Sequence, residues 1–155
     1  MYFNDENLVP LQEDLTLELS LLEIVRGLEG LIRQDLTIAE GESFGEGDWA
    51  VIDNNGELVS PAATPVAMTV PVWCGNADGR SDVHATGKAT ILRGGRFIYR
   101  TTKFDAAPSY NVGDALTVKD LGAGEKVPTI ASGTDPVLAR VSAIPANGIL
   151  EVEVL

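Results

Sequence analysis

GDWAVIDNNGELV, residues 47–59, decides how this chain is read. A Gly-Asp pair leads into the apolar run Trp49–Ile52, and Asn55-Gly56 then marks a turn before Glu57-Leu58-Val59 returns. Gly supplies unusual backbone angles and Asp bonds nearby backbone, so the pair is turn chemistry ahead of a strand. Asn-Gly between two apolar runs predicts a β-hairpin with a two-residue type I′ turn. GDALTVKDLGAGEKV, residues 113–127, repeats the pattern. Aligned, Gly47 meets Gly113, Asp48 meets Asp114, Glu57 meets Glu125, Val59 meets Val127, Pro65 meets Pro136 and Val70 meets Val141. A strand–turn–strand–Pro-Val-strand element is thus used twice, and it reads as scaffold.

Outward from the repeat, strand follows strand. DLTIAEGESF, PVAMTVPVWCG, VHATGKATILR, a Gly94-Gly95 turn, RFIYRTTKF, PVLARVSAIP and GILEVEVL are short apolar-rich runs between turn residues. Turn signals about every ten residues indicate a β-barrel or β-sandwich. The fold expected is mainly β: a single barrel- or sandwich-like domain over residues 35–155, preceded by an N-terminal arm, residues 1–34. In the arm, Asp14–Leu21 alternates like a strand, with leucines at 15, 17, 19 and 21. Leu21, Ile24, Val25, Leu28, Leu31 and Ile32 then fall at three- and four-residue spacing, which predicts a short helix near 21–34. Ser20 with Glu23 fits a capping box, and Glu29 with Arg33 a favourable i,i+4 pair. Gly27 and Gly30 oppose it at about 0.5–1 kcal/mol each.

Composition narrows the function classes. The 155 residues suit one domain with a real core. Eleven basic residues face 23 acidic ones, a formal net charge of −12. Without a Lys/Arg cluster, neither nucleic acid nor an anionic membrane surface is an expected partner. The lone Cys74 cannot form an intramolecular disulfide, and with no basic neighbour in sequence it reads as an inert buried thiol. No run reaches the ~18 apolar residues of a membrane helix, and MYFNDENLVP does not read as a signal peptide. The chain is therefore expected to be made in a cytoplasm.

The candidates for chemistry are thin. Ser81, Asp82 and His84 have the residue types of a triad, but a pleated strand sends Ser81 and His84 to opposite faces. Asp53–Glu57 has its glycine three residues after the aspartate, where a calcium loop needs five. Asp78 and Asp82 in NADGRSD read as a solvated loop. Gly94-Gly95 and GAGEK lack the Gly-Lys-Ser/Thr ending of a phosphate loop. The expectation is no enzyme, no metal, no cofactor and no small-molecule substrate. Arg93, Arg96, Arg100 and Lys103 are the one basic concentration, readable as a docking patch or as a solvated strand face. The apolar stripe Leu21, Ile24, Val25, Leu28, Leu31 and Ile32 either closes the barrel end or docks onto a neighbouring subunit.

Thr86-Gly87-Lys88, Thr101–Asp105, Tyr110–Val118 and the closing strand Ile149–Leu155 together resemble the capsid decoration, or cement, proteins of tailed bacteriophages. The resemblance covers residues 36–155. It implies a β-barrel-like homotrimer on the outside of the virion head, binding the major capsid protein and holding the shell against internal pressure. By this reading Leu21, Ile24, Val25, Leu28, Leu31, Ile32, Arg93, Arg96 and Arg100 are the candidate partner and oligomer interface. The alternative is a carbohydrate- or receptor-binding β-module of a phage tail or fibre. That would need an exposed aromatic platform, with Trp49, Trp73, Tyr99 and Tyr110 as the candidates.

Overall fold

The computed structural model describes residues 22–27, 30–61, 68–78, 87–122 and 125–155. Eleven strands lie among them: β1 (Leu22–Arg26), β2 (Ile32–Thr37), β3 (Trp49–Ile52), β4 (Leu58–Val59), β5 (Thr69–Cys74), β6 (Lys88–Arg93), β7 (Phe97–Thr101), β8 (Ala115–Gly122), β9 (Glu125–Ile130), β10 (Ala139–Ala146) and β11 (Ile149–Val154). They form a six-stranded sheet ordered β1-β7-β11-β10-β8-β9 and a five-stranded sheet ordered β2-β6-β5-β3-β4. The mainly β reading holds.

The repeat is larger than the sequence disclosed. With β1 set aside, the orders β2-β6-β5-β3-β4 and β7-β11-β10-β8-β9 are the same topology traversed twice. Register agrees strand by strand. Arg33 opposes Leu92 as Ile98 opposes Glu153, and Val72 opposes Ile91 as Val141 opposes Val152. Ala50 opposes Val70 as Leu116 opposes Ala139, and Ile52 opposes Leu58 as Val118 opposes Pro128. The register slips in the same place, after Val72 in one unit and after Val141 in the other.

The Gly-Asp turns match atom for atom. Asp48 Oδ2 accepts the Gly45 N–H at 2.8 Å, and Asp114 Oδ2 accepts the Asn111 N–H at 2.8 Å. The Gly47 N–H donates to Val72 O and the Gly113 N–H to Val141 O, with φ 89° and 93° at the two glycines. Val72 is therefore the partner of Val141, two residues beyond the Val70 that sequence alignment selects. In each unit the chain leaving the first strand bonds back to the far strand, Ala39 N–H to Leu58 O at 3.0 Å and Asp105 N–H to Pro128 O at 2.9 Å. Each sheet thus curls end to end.

Residues 21–34 correct the helix. Within that span the described residues form β1 and β2, while Leu21, Leu28 and Glu29 lie outside the described residues, as does the rest of the arm, 1–20. β1 pairs with β7 and β2 with β6, so residues 22–26 and 32–34 belong to the two sheets. The physical reason is the corner at Gly27. Its φ is 90°, and a Cβ there would stand 2.5 Å from Arg96 O. No other residue fits where this chain passes from one sheet to the other. Gly94-Gly95 is the matching corner on the neighbouring ribbon, with φ 85° and 65°, and joins β6 of one sheet to β7 of the other without pairing them. It is not a hairpin turn; strands that switch sheets need such bends. The Asn55-Gly56 hairpin does form, but its loop is three residues long, closed by Asp53 N–H to Glu57 O at 2.9 Å.

Two cores follow from the pleat. Phe44, Ala50, Leu58, Val72, Ala89 and Ile91 fill the first unit. Their strand neighbours Trp49 and Leu92 point the other way, into a larger core with Leu22, Phe97, Tyr99, Leu116, Val141, Leu150 and Val152. That second core fills the six-stranded sheet and welds the units together. Trp49 Nε1–H donates to Tyr99 Oη at 2.9 Å across the weld, both residues fully buried.

Candidate functional site

The densest polar cluster is the seam between the units. Residues 42–48 lead into β3 and rest on the loop after β5. Phe44 N–H donates to Asn76 Oδ1 at 2.8 Å, Ala77 N–H to Phe44 O at 3.0 Å, and Glu46 N–H to Asp78 Oδ1 at 2.9 Å. Gly75 N–H donates to the other Asp78 oxygen at 2.6 Å. The second unit adds two lysines. Lys103 Nζ lies 3.3 Å from Asp48 Oδ1, and Lys126 Nζ donates to Ser43 O at 3.2 Å while standing 5.3 Å from the Phe44 ring centroid.

This cluster is chemically occupied. Both Asp48 oxygens are engaged, one by Gly45 N–H and one by Lys103, and both Asp78 oxygens by backbone donors. Asp53 Oδ1 takes the N–H groups of Asn55 and Glu57 at 2.8 and 2.9 Å. A general acid or base must direct a lone pair or proton at a substrate, and these carboxylates direct theirs at their own loops. Among the described residues no group of three or more His, Cys, Asp or Glu side chains could hold a metal ion. Ser81, Asp82 and His84 lie outside the described residues. Cys74 is buried, as expected.

Tyr99 and Tyr110 are held as weaker acids than a free phenol. Burial pushes the Tyr99 phenol far up, against the smaller opposing effect of its Trp49 hydrogen bond. Burial, and then the negative charge of Asp105, push Tyr110 up to about 12. Tyr110 Oη donates to the Asp105 carbonyl oxygen, and Thr129 Oγ1 donates to Asp105 Oδ2 at 2.7 Å.

The aromatic platform of the carbohydrate reading is not formed. Trp49 and Tyr99 are interior, Tyr110 is half-buried edge-on to Phe104, and half-buried Trp73 lies under the Arg33 guanidinium, 4.0 Å from its ring centroid.

The candidate interface residues separate. Ile24 and Leu31 pack half-buried against the larger core, whereas Val25 is 37% exposed and Ile32 54%. They therefore form no single stripe, because a strand alternates faces where a helix would align them. Leu21 and Leu28 lie outside the described residues. Arg93 and Arg96 are exposed on either side of the Gly94-Gly95 corner. Arg100 is paired with Glu151 at 3.1 Å, and Glu151 also accepts the Ser142 hydroxyl. Lys103 is committed to the seam. The basic patch is thus halved, to Arg93 and Arg96, and joined by exposed Arg26 and Arg33. The seam itself was missed from sequence; its partners stand 55 and 83 residues apart, and no local pattern signals them.

No helix among the described residues is long and apolar enough to cross a membrane. No family model, curated protein or solved structure matches the chain.

Proposed function

We propose that this is a non-enzymatic structural protein of a tailed-phage virion, a decoration protein that binds the outside of the head and reinforces the shell of major capsid protein. It works as a homo-oligomer, a trimer by the resemblance. One observation carries the reading: two of the four segments of the resemblance, Thr101–Asp105 and Tyr110–Val118, form one strut of the second unit, while Lys88 opens β6 of the first unit and Ile149–Val154 is β11. Thr101 Oγ1 accepts the Lys103 N–H, Asp105 bonds to β9 through Pro128, Tyr110 is tied to Asp105, and Asp114 closes the turn into β8. The motif is a device for locking a small closed sheet. Polar side chains of the seam and turns serve internal acceptors and donors, so what remains for partners is surface shape, edge and charge.

The test is co-sedimentation with expanded heads of the encoding phage from which this protein has been stripped. Saturable binding at a stoichiometry fixed by the shell lattice, with a rise in the temperature at which heads rupture, is the expected result. Heads that neither bind the protein nor gain stability from it would sink the reading.

A further inference from the structure

The β1–β2 ribbon is an open edge. β1 ends the six-stranded sheet and β2 ends the five-stranded one, and each pairs on one side only, with β7 and β6. Among the described residues their outer side meets another strand only at the Ile38–Leu58 bridge, just past β2. An unpaired edge is a template for another strand unless it is blunted. The far edge, β9, is blunted by Pro128 and buried Lys126. β1 and β2 contain no proline, and they expose Val25 and Ile32.

A strand-forming segment sits directly ahead of this edge. Residues 14–21, DLTLELSL, carry leucines at odd positions, whereas β1 buries the even-numbered Leu22 and packs Ile24 inward. Side chains alternate with period two along a strand, so in the sequence the leucine row is one residue out of phase with the positions that β1 turns inward. Residues 15–21 contain no Gly, Pro, Asn or Asp, and Ser20 is their one turn-favouring residue, so little turn chemistry stands between this run and β1. Charge agrees. Residues 1–21 hold five acidic residues and no basic one, with Glu13, Asp14 and Glu18 in or beside the alternating run. The ribbon and its neighbouring corner expose Arg26, Arg33, Arg93 and Arg96. Its acids are half-buried Glu23 and exposed Asp35, and Asp35 accepts the Thr90 hydroxyl at 2.6 Å.

We propose that residues 14–21 of one copy add as a strand to the β1–β2 edge of a second copy, the leucine row meeting Val25 and Ile32 and the acids meeting the arginines. Backbone pairing supplies affinity and alternate side chains supply specificity, as in other strand additions. The proposal rests on the homo-oligomer part of the reading above and names the surface that makes it.

The test uses the full chain in light scattering over a concentration series. Wild type self-associates, more weakly as salt is raised, because exposed charges are screened. Arg33→Glu with Arg93→Glu weakens association about tenfold, as loss of two exposed ion pairs allows. Adding Glu13→Lys and Glu18→Lys to that variant restores it. Leu17→Pro abolishes association without loss of the β circular dichroism signal. Mixed Thr16→Cys and Gln34→Cys copies give a disulfide between chains under mild oxidation. A chain that stays monomeric, or an oligomer indifferent to both Leu17→Pro and the charge reversal, overturns the proposal. Head binding is scored separately: a monomer that still coats heads defeats strand exchange alone, and an exchanged oligomer that ignores heads defeats the decoration reading alone.

Discussion

Removing the Tyr99 hydroxyl tests whether the two units are one cooperative body. Trp49 belongs to the first unit and Tyr99 to the second, and their 2.9 Å hydrogen bond lies where neither residue sees solvent. The rings are tilted with centroids 6.5 Å apart, so Tyr99→Phe keeps the packing and deletes the acceptor. The indole N–H is then buried without a partner, which costs about 1–3 kcal/mol. For a chain of this size 1 kcal/mol moves Tm by about 2–4 °C, so a drop of about 4–8 °C is expected for a mid-range cost. Trp49→Phe costs about 3 kcal/mol by combining a lost donor with lost volume. Adding Tyr99→Phe to Trp49→Phe then costs little, because no orphan donor remains, and the cycle returns a coupling of about 1–3 kcal/mol. Thermal melts and urea unfolding, both followed by far-ultraviolet circular dichroism, measure all four proteins, with one transition in each. A Tyr99→Phe cost below about 0.5 kcal/mol, the level of an ordinary surface change, would refute the reasoning. So would two separated transitions in wild type.

Gly75→Ala is expected to cost about 3 kcal/mol or more, since its Cβ would lie 1.9 Å from Phe44 O and neither backbone can yield; Gly30→Ala, whose nearest atom is 4.0 Å away, stays within about 0.5 kcal/mol by the same melts. Asp48→Asn should destabilise more than Asp114→Asn, by about 1 kcal/mol, because the amide oxygen of Asn can still accept the turn N–H in both but only Asp48 also loses a charge that faces Lys103. Equal costs would remove the seam ion pair from the account. Stability should fall as pH rises from about 10 towards the Tyr110 value of about 12. The raised folded values mean that the unfolded chain releases its phenolic protons first, so the contribution is complete below about pH 10 and is lost above it. Urea midpoints across that range follow the effect, and Tyr110→Phe should flatten the slope.

The parts of the fold legible in sequence were those set by neighbours in the chain. Gly47-Asp48 and Gly113-Asp114 announced two equal turns because the Asp oxygen reaches a donor only three residues away. Residues 22–34 misled for a definable reason. Ile24, Val25, Leu31 and Ile32 satisfy helical spacing as two short strands with a break between them also can, and β pairing to β7 and β6 decides the matter from outside the segment. The alignment slipped by two residues twice, at Val59, whose counterpart by register is Thr129, and at Val70, because neither the hairpin loop length nor the proline is the feature repeated. The repeated features are the bonds from Gly47 and Gly113 to Val72 and Val141. The seam was illegible throughout, since Lys103 and Lys126 differ from other lysines only in where folding delivers them.

Two units of one topology need not behave alike, and their outward residues show how the second differs from the first as a docking face. Trp49, Trp73 and Leu92 face outward from the first unit and are received by the larger core. By register and turn geometry their counterparts in the second unit are Ala115, Ser142 and Glu153. Where the first unit offers two indoles and a leucine, the second offers a methyl, a hydroxyl bonded to Glu151 and a carboxylate. A third unit docking in the same manner would have to bury Glu153 and the Arg100–Glu151 pair, and unpaired or desolvated charge opposes that strongly. The second unit is in this sense a polar cap of the kind that ends other repeat arrays. Head-to-tail addition to the second unit is opposed by composition, not by topology. β1, the strand left over when the two five-stranded units are matched, lies outside this repeat and ends its sheet with an open side.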